Sequence, residues 1–198
     1  SNGRIYYSYV RGSGSITSAS PRLTSNLIKA NGDVAGFVST NSGYIGDSYA
    51  NIAVYSVAKF TAGFVGSNAS SGKIQRCYSA CDIVSNAPSM MPFTGENLLH
   101  EIQDASNGGI QDCYYLILSG EYFEAEKDSA TGMSLTSFQV ASTLNGYAFI
   151  ESADKIEKSS GVWTYGAENV ADNNAIVVDN YKILPDLTGP NIIAKSVR

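Results

Sequence analysis

The stretch GKIQRCYSAC, residues 72–81, sets a glycine, an isoleucine, a cysteine and a tyrosine within seven positions. Three readings compete for it: a nucleophilic cysteine, a metal-ligand pair made with Cys81, or one unit of a structural repeat. The rest of the chain decides, because the spelling Gly-x-Ile-x-x-Ser/Cys-Tyr returns. It runs from Gly3 to Tyr9, from Gly43 to Tyr49, from Gly72 to Tyr78 and from Gly108 to Tyr114. A second element, Ala-Gly-Phe-Val, precedes two of these copies at Ala35 and Ala62 and leads into Asn41 and Asn68. A further aliphatic residue stands five positions after the tyrosine, at Val54 and Ile83.

Each unit then reads as three short strands separated by Asn, Gly and Ser corners. The two clearest units begin 27 residues apart, at Ala35 and Ala62, a spacing typical of solenoid repeats. Helical repeats are disfavoured, since apolar residues recur at intervals of two or three and Gly or Asn interrupts every run. The expected fold is an all-β, parallel β-solenoid, right-handed by the usual rule for parallel crossovers. Each coil adds about 4.8 Å along the axis, and like residues lie above like residues.

Stacking of this kind predicts columns. Ile45, Ile74 and Ile110 form an internal one, and Ser48, Cys77 and Cys113 form a small-residue one. Asn41 and Asn68 stack at a turn, where amides bond backbone and one another. Tyr9, Tyr49, Tyr78 and Tyr114 form an aromatic column, read as packing or as an exposed docking strip. Cys77 is thus interchangeable with serine in its own repeat, which suits a buried filler and not a nucleophile. Stacked Cys77 and Cys113 would lie about 5 Å apart, but their parallel Cβ vectors suit free thiols better than a bridge. Cys81 has no further soft ligands near in sequence, so no metal is expected.

Composition sets the outer bounds. The chain has 198 residues, 43% hydrophobic and only 16% charged, with 19 Gly and 13 Tyr, the balance of a turn-rich β protein. A net charge of -5 argues against nucleic acid and anionic membranes as partners. No apolar run approaches the roughly 18 residues of a spanning helix. Ser1-Asn2 reads as the scar of a cleaved tag, so a monomeric piece of a larger protein is expected.

The stretches AGFVGSNASSGKIQRCYSACDIV, from Ala62, and AGFVSTNSGYIGDSYANIAV, from Ala35, resemble the GLUG-motif repeat of bacterial surface and secreted proteins. The family pattern is a Gly-aliphatic-aliphatic-Gly strand, an Asn-x-Gly corner, then Ile-x-Asn-Cys/Ser-Tyr and a closing Gly-x-Val. Cys81, Ser39 and Ile52 stand where the family usually has glycine. The likeness is full over about 35–84 and partial over 95–118. It implies a β-solenoid segment like those of bacterial adhesins and of the immunoglobulin-A-cleaving zinc metallopeptidases of Gram-positive bacteria. The tail, with CYYL at Cys113, SLTSFQVASTLNG at Ser134, Trp163 and NYKILPDL, resembles the usual end of such arrays.

The solenoid is expected to span 3–119, followed by a small α+β cap over 120–190 that closes its open end and a linker over 191–198. Residues 85–107 read as an expanded corner carrying a helical turn or two after Thr94. Ser134 to Asn145 reads as a short amphipathic helix ended by Asn145-Gly146. Trp163 and Tyr165 alternate as in a strand, and 176–178 reads the same way.

Catalytic chemistry finds little footing. His100-Glu101 evokes a zinc-protease helix, but the second histidine would fall at Asp104, and the chain has one histidine. Carboxylates offer the better case, because parallel β-helices host polysaccharide lyases and hydrolases. The fifth motif position supplies a row, Asp47, Arg76 and Asp112, which fits a surface ion ladder or, with Tyr44, one wall of a sugar-binding groove. An enzyme would need Asp47, Asp82, Asp112 or Glu101 to converge within about 10 Å in a cleft. Asn68-Ala-Ser70 matches a glycosylation sequon. The expected function is therefore a non-catalytic extracellular module, secreted or wall-attached, that binds a host or matrix protein or glycan or serves as a spacer, without cofactor. The alternatives are an accessory domain of a secreted immunoglobulin-cleaving metallopeptidase and a carbohydrate-active β-helix enzyme.

Overall fold

The computed structural model describes residues 3–11, 27–56, 60–85, 89–97, 109–117, 130–138, 143–147, 163–165 and 185–187. Its strands are two to four residues long, and five of them make one turn. The first turn is β1 (Arg4–Tyr6), β2 (Tyr9–Arg11), β3 (Leu27–Ala30), β4 (Val34–Ala35) and β5 (Val38–Asn41). The second is β6 (Tyr44–Gly46), β7 (Tyr49–Asn51), β8 (Ala53–Ser56), β9 (Phe60–Ala62) and β10 (Val65–Asn68). The third is β11 (Lys73–Gln75), β12 (Tyr78–Ser79), β13 (Asp82–Ser85), β14 (Ser89–Met91) and β15 (Thr94–Asn97). A fourth opens with β16 (Ile110–Gln111) and β17 (Tyr114–Leu116), after which come β18 (Thr131–Met133), α1 (Leu135–Phe138), β19 (Trp163–Tyr165) and β20 (Pro185–Leu187).

Corresponding strands of successive turns pair in parallel. They build five walls, ordered β1-β6-β11-β16, β18-β17-β12-β7-β2, β13-β8-β3, β14-β9-β4 and β15-β10-β5. The fold is the all-β parallel solenoid expected from the repeats. Register is the decisive check: Ile5, Ile45, Ile74 and Ile110 are direct partners from turn to turn. Asn41, Asn68 and Asn97 align, as do Tyr9, Tyr49, Tyr78 and Tyr114 and Ile28, Val54 and Ile83.

Alternation along each short strand sends one set of side chains inward. Ile45, Ala50, Val54, Phe64, Val65, Ile74, Cys77, Phe93, Ile110 and Cys113 fill the bore. Phe37, Phe64 and Phe93 stack with centroids 4.7 and 4.9 Å apart. The small-residue column repeats one local bond: Ser48 Oγ donates to the Gly46 carbonyl at 2.9 Å, and the Cys77 and Cys113 thiols to Gln75 and Gln111 at 3.3 and 3.2 Å. All three cysteines are free and buried.

The Asn column is a hydrogen-bonded ladder. Asn41 Nδ2 donates to Asn68 Oδ1 at 2.8 Å, and Asn68 Nδ2 to Asn97 Oδ1 at 3.1 Å and to the Gly72 carbonyl at 3.2 Å. Asn68 is fully buried, so the amide of the sequon is consumed inside the fold. Turns approach so closely that some positions admit only glycine. A Cβ on Gly63 would fall against the Pro92 carbonyl and the Ser79 hydroxyl, and one on Gly36 against the Gly63 carbonyl.

Three expectations need correction. A turn holds five strands and not three, because the fifth motif position breaks the Ile-to-Tyr run in two and the Ala-Gly-Phe-Val run also breaks, after Ala35 and after Ala62. Tyr7, Asp47, Arg76 and Asp112 all have φ between 48° and 52°, a left-handed corner stacked four deep. Within the corner expected over 85–107, Ser89–Met91 pairs with β9 and Thr94–Asn97 with β10, so these segments continue the walls and Thr94 opens a strand; the helical turn expected after Asn97 lies outside the described residues. Phe93 and Asn97 occupy the columns of Phe64 and Asn68, which is what recruits this segment. The cap also does more than close an end. β18 does extend the tyrosine wall past β17, but Phe138, Leu144, Tyr147 and Trp163 pack along its flank against Tyr49, Tyr78 and Tyr114. Of the helix expected over Ser134 to Asn145, Leu135–Phe138 is helical, 139–142 lie outside the described residues and 143–147 form a turn, in which Gly146 has a positive φ of 74°. The strand expected at 176–178 and the 191–198 linker lie outside the described residues.

Asn68→Ala strands the Asn41 donor and the Asn97 acceptor in a buried ladder and is expected to cost about 2–3 kcal/mol. Cys77→Ser repeats the chemistry of Ser48 and is expected to stay within about 1 kcal/mol of the parent. Urea denaturation of the two variants checks both, and equal effects would contradict the column reading.

Candidate functional site

The left-handed corner carries the charged row. Its φ is tolerated by Asp and Asn more readily than by other side chains, and the tight bend aims the residue at this position away from the bore. Asp47 is nevertheless only 4% exposed, because the chain folds back over it. Arg76, one turn further on, grips it with two bonds, Nε to Oδ1 at 2.7 Å and Nη2 to Oδ2 at 2.6 Å. Trp163 Nε1 adds a third donor to Oδ1 at 3.2 Å. These donors balance the desolvation of the carboxylate. In return the hydrogen bonds to Asp47 raise the pKa of Arg76 above its ordinary value, against the opposing effect of burial.

Asp112, two rungs from Asp47, serves a different segment. Its Oδ1 accepts from Asn145 Nδ2 at 2.8 Å, while the Asn145 backbone N–H donates to the Tyr114 hydroxyl at 2.8 Å. Tyr44 donates its hydroxyl to Gln75 Oε1 at 2.7 Å, its ring lies 5.0 Å from Tyr6, and burial raises its pKa. The four residues read as a ligand row are thus brought to one flank, and each is engaged with the chain itself. Asp47 and Arg76 pair directly, whereas Asp112 turns to the tail.

The tyrosine rings stack over three turns, Tyr9 on Tyr49 at 5.2 Å and Tyr49 on Tyr78 at 4.9 Å, and the Tyr114 ring meets Phe138 and Tyr147. Tyr49 and Tyr78 are each 1% exposed, under Trp163. Tyr9, at the first turn, is 46% exposed with Arg11 over its ring at 5.4 Å. Asp82 is buried on β13, in a different wall from Asp47. The described carboxylates Asp47 and Asp82 therefore share no open cleft, and Glu101 and His100 lie outside the described residues. Among the described residues no group of three or more His, Cys, Asp or Glu is placed to hold a metal ion.

One open concavity was not foreseen from the sequence. A cavity of about 320 Å³ on the β5-β10-β15 wall is lined by Asp33, Val34, Ser39, Thr40, Gly66, Ser67 and Glu96. Thr40, Ser67 and Glu96 are partners in register, and the Ser67 hydroxyl donates to Glu96 Oε2 at 3.3 Å. Gly66 contributes floor without a side chain, so backbone and hydroxyl groups face the opening. Comparison with protein-family models, with curated proteins and with solved structures found no match.

Arg76→Gln leaves a buried carboxylate with weaker donors and is expected to cost about 2 kcal/mol. Asp112→Asn, on a more exposed bond, is expected to cost less than about 1 kcal/mol; thermal denaturation separates the two. A pH effect follows from burial, which pushes the Cys77 thiol and the Tyr147 hydroxyl well above their ordinary values of 9.0 and 10.0. Both groups stay protonated in the fold and ionise on unfolding. The Cys77 contribution is complete below pH 9 and that of Tyr147 below pH 10; each is lost as pH rises beyond that value, by about 1.4 kcal/mol per unit while the folded group stays protonated. Stability flat from pH 9 to 11 would contradict this.

Proposed function

We propose that the chain is a non-catalytic, extracellular solenoid module that displays a ligand-binding wall, for a glycan or a host or matrix protein, at a fixed distance from its point of attachment. The observation that carries the reading is the division of labour among the walls. The Asp47–Arg76 pair and the Tyr49–Tyr78 stack lie under Trp163, whereas on the β5-β10-β15 wall Thr40, Ser67 and Glu96 of successive turns line one groove. Stacked turns suit display, because each contacts only its neighbours and a repeated face can lengthen without a new core. The resemblance to GLUG-motif surface proteins supports a secreted or wall-attached setting.

The same resemblance supports a second reading, an accessory domain that presents substrate within a secreted immunoglobulin-cleaving metallopeptidase. A carbohydrate-active enzyme is less favoured, since Asp47 and Asp82 are shielded and lie on separate walls. A glycan array and a pull-down from host and matrix proteins, immunoglobulin A included, test these together. Binding to a glycan or matrix protein that Glu96→Lys weakens by about tenfold or more is expected, with no turnover of polysaccharide. Capture of immunoglobulin A alone would favour the accessory role. Turnover with no binding partner would overturn the proposal.

A further inference from the structure

We infer that the outer face of the β1-β6-β11-β16 wall binds an extended acidic glycan, laid along the solenoid axis, that carries a carboxylate on alternate sugars. Ile5, Ile45, Ile74 and Ile110 pack into the bore, so alternation turns their neighbours outward. One outward column is Arg4, Tyr44 and Lys73; the other is Tyr6, Gly46, Gln75 and Gln111. The face lies on a different wall from the groove of Thr40, Ser67 and Glu96, and its reading does not depend on that groove.

The rings on this face are presented to solvent and set in place. Tyr6 and Tyr7 are exposed, with centroids 5.9 Å apart, and Tyr6 lies 5.0 Å from Tyr44. Tyr44 is braced in turn: its ring fills the space that Gly46 leaves, and its hydroxyl donates to Gln75. A tyrosine combines a large apolar ring with a polar tip, and one already braced by its neighbours loses little freedom on binding. Such a ring suits the apolar face of a pyranose, whose hydroxyls point sideways to the amides of Gln75 and Gln111, 3.3 Å apart.

Charge selects the sugar. Arg4 and Lys73 are exposed, one rung to either side of Tyr44, whereas Arg76 is already met by Asp47. The net charge of -5 disfavours a densely charged polymer and favours one whose carboxylates are spaced to match these two cations. At one strand spacing per rung, Arg4 and Lys73 lie roughly 10 Å apart along the axis, the length of a disaccharide in an extended chain. Carboxylates on alternate sugars then meet the two cations, and the sugar between them lies beside Tyr44 and Tyr6. An extended acidic peptide fits less well, since like side chains on one of its faces recur at about 6.8 Å.

Hyaluronan oligosaccharides, which bear a carboxylate on alternate sugars, test the inference when titrated into the whole chain by calorimetry. Saturable binding is expected, weakened about tenfold in the Arg4→Gln/Lys73→Gln double variant and about fivefold or more in Tyr6→Ala. These side chains are exposed, so both variants are expected to keep the parent's far-UV circular dichroism. Raising the salt from about 0.05 to about 0.5 M is expected to weaken binding by the parent more than by the double variant. No binding, binding that the variants leave unchanged, or equal binding of an oligosaccharide with its carboxylates reduced to alcohols would each overturn the inference. So would preference for oligogalacturonate, with a carboxylate on every sugar, or for a poly-glutamate peptide.

Discussion

Everything in this molecule hangs on the parallel backbone ladder between turns. Strands of two to four residues cannot stabilise themselves, because a pair so short makes too few bonds to offset the entropy of ordering it. They persist because strands of successive turns pair in parallel, the inner ones on both sides, so that five weak strands become five walls. The ladder then dictates side-chain chemistry. Once successive turns lie one strand spacing apart, each residue must tolerate its own counterpart above and below. Isoleucine, phenylalanine, tyrosine and asparagine do so by packing or by amide bonds; two like charges do not. The fifth motif position obeys the rule by alternating Asp47 with Arg76.

The corner at that position shows how local and global demands meet. A left-handed residue other than glycine costs roughly 1 kcal/mol or more, and the chain accepts it at Tyr7, Asp47, Arg76 and Asp112. The corner ends the Ile strand, starts the Tyr strand and leaves the Ser/Cys residue turned inward with its hydroxyl or thiol on the carbonyl two residues back. Asp47 then gains three donors, which repays the strain at one rung. Tyr7 takes the same corner at the first turn, where it is 55% exposed.

Most of the solenoid was legible because its information is repeated. The Ile, Tyr, Ser/Cys and Asn columns could be written down from spacing alone, since register is a one-dimensional property that a repeat prints in the sequence. What was illegible was either non-repetitive or hidden by variation. The third turn was misread at 85–97 because Thr94 and Met91 replace the valine and alanine of earlier units, and its Asn97 was taken for part of a helix. The left-handed corner was available in principle: Asp at 47 and 112 is the residue type that tolerates it. The meeting of Trp163 with Asp47 was not available, because it joins residues 116 apart through no shared period.

That last contact changes what the charged row means. An exposed Asp–Arg pair on a β surface contributes little and is free to meet a ligand. Covered by an indole, the same pair becomes an internal fixture, with both carboxylate oxygens occupied and the guanidinium aligned along one edge. The chemistry that the sequence offered for recognition is therefore engaged with the tail, whereas on the β5-β10-β15 wall the side chains are small and none of the described residues covers the groove. Gly66, between Val65 and Ser67, withholds a side chain where the flank supplies a tyrosine. Bulk draws Phe138, Tyr147 and Trp163 onto the tyrosine wall, and small side chains leave the groove of the other open among the described residues.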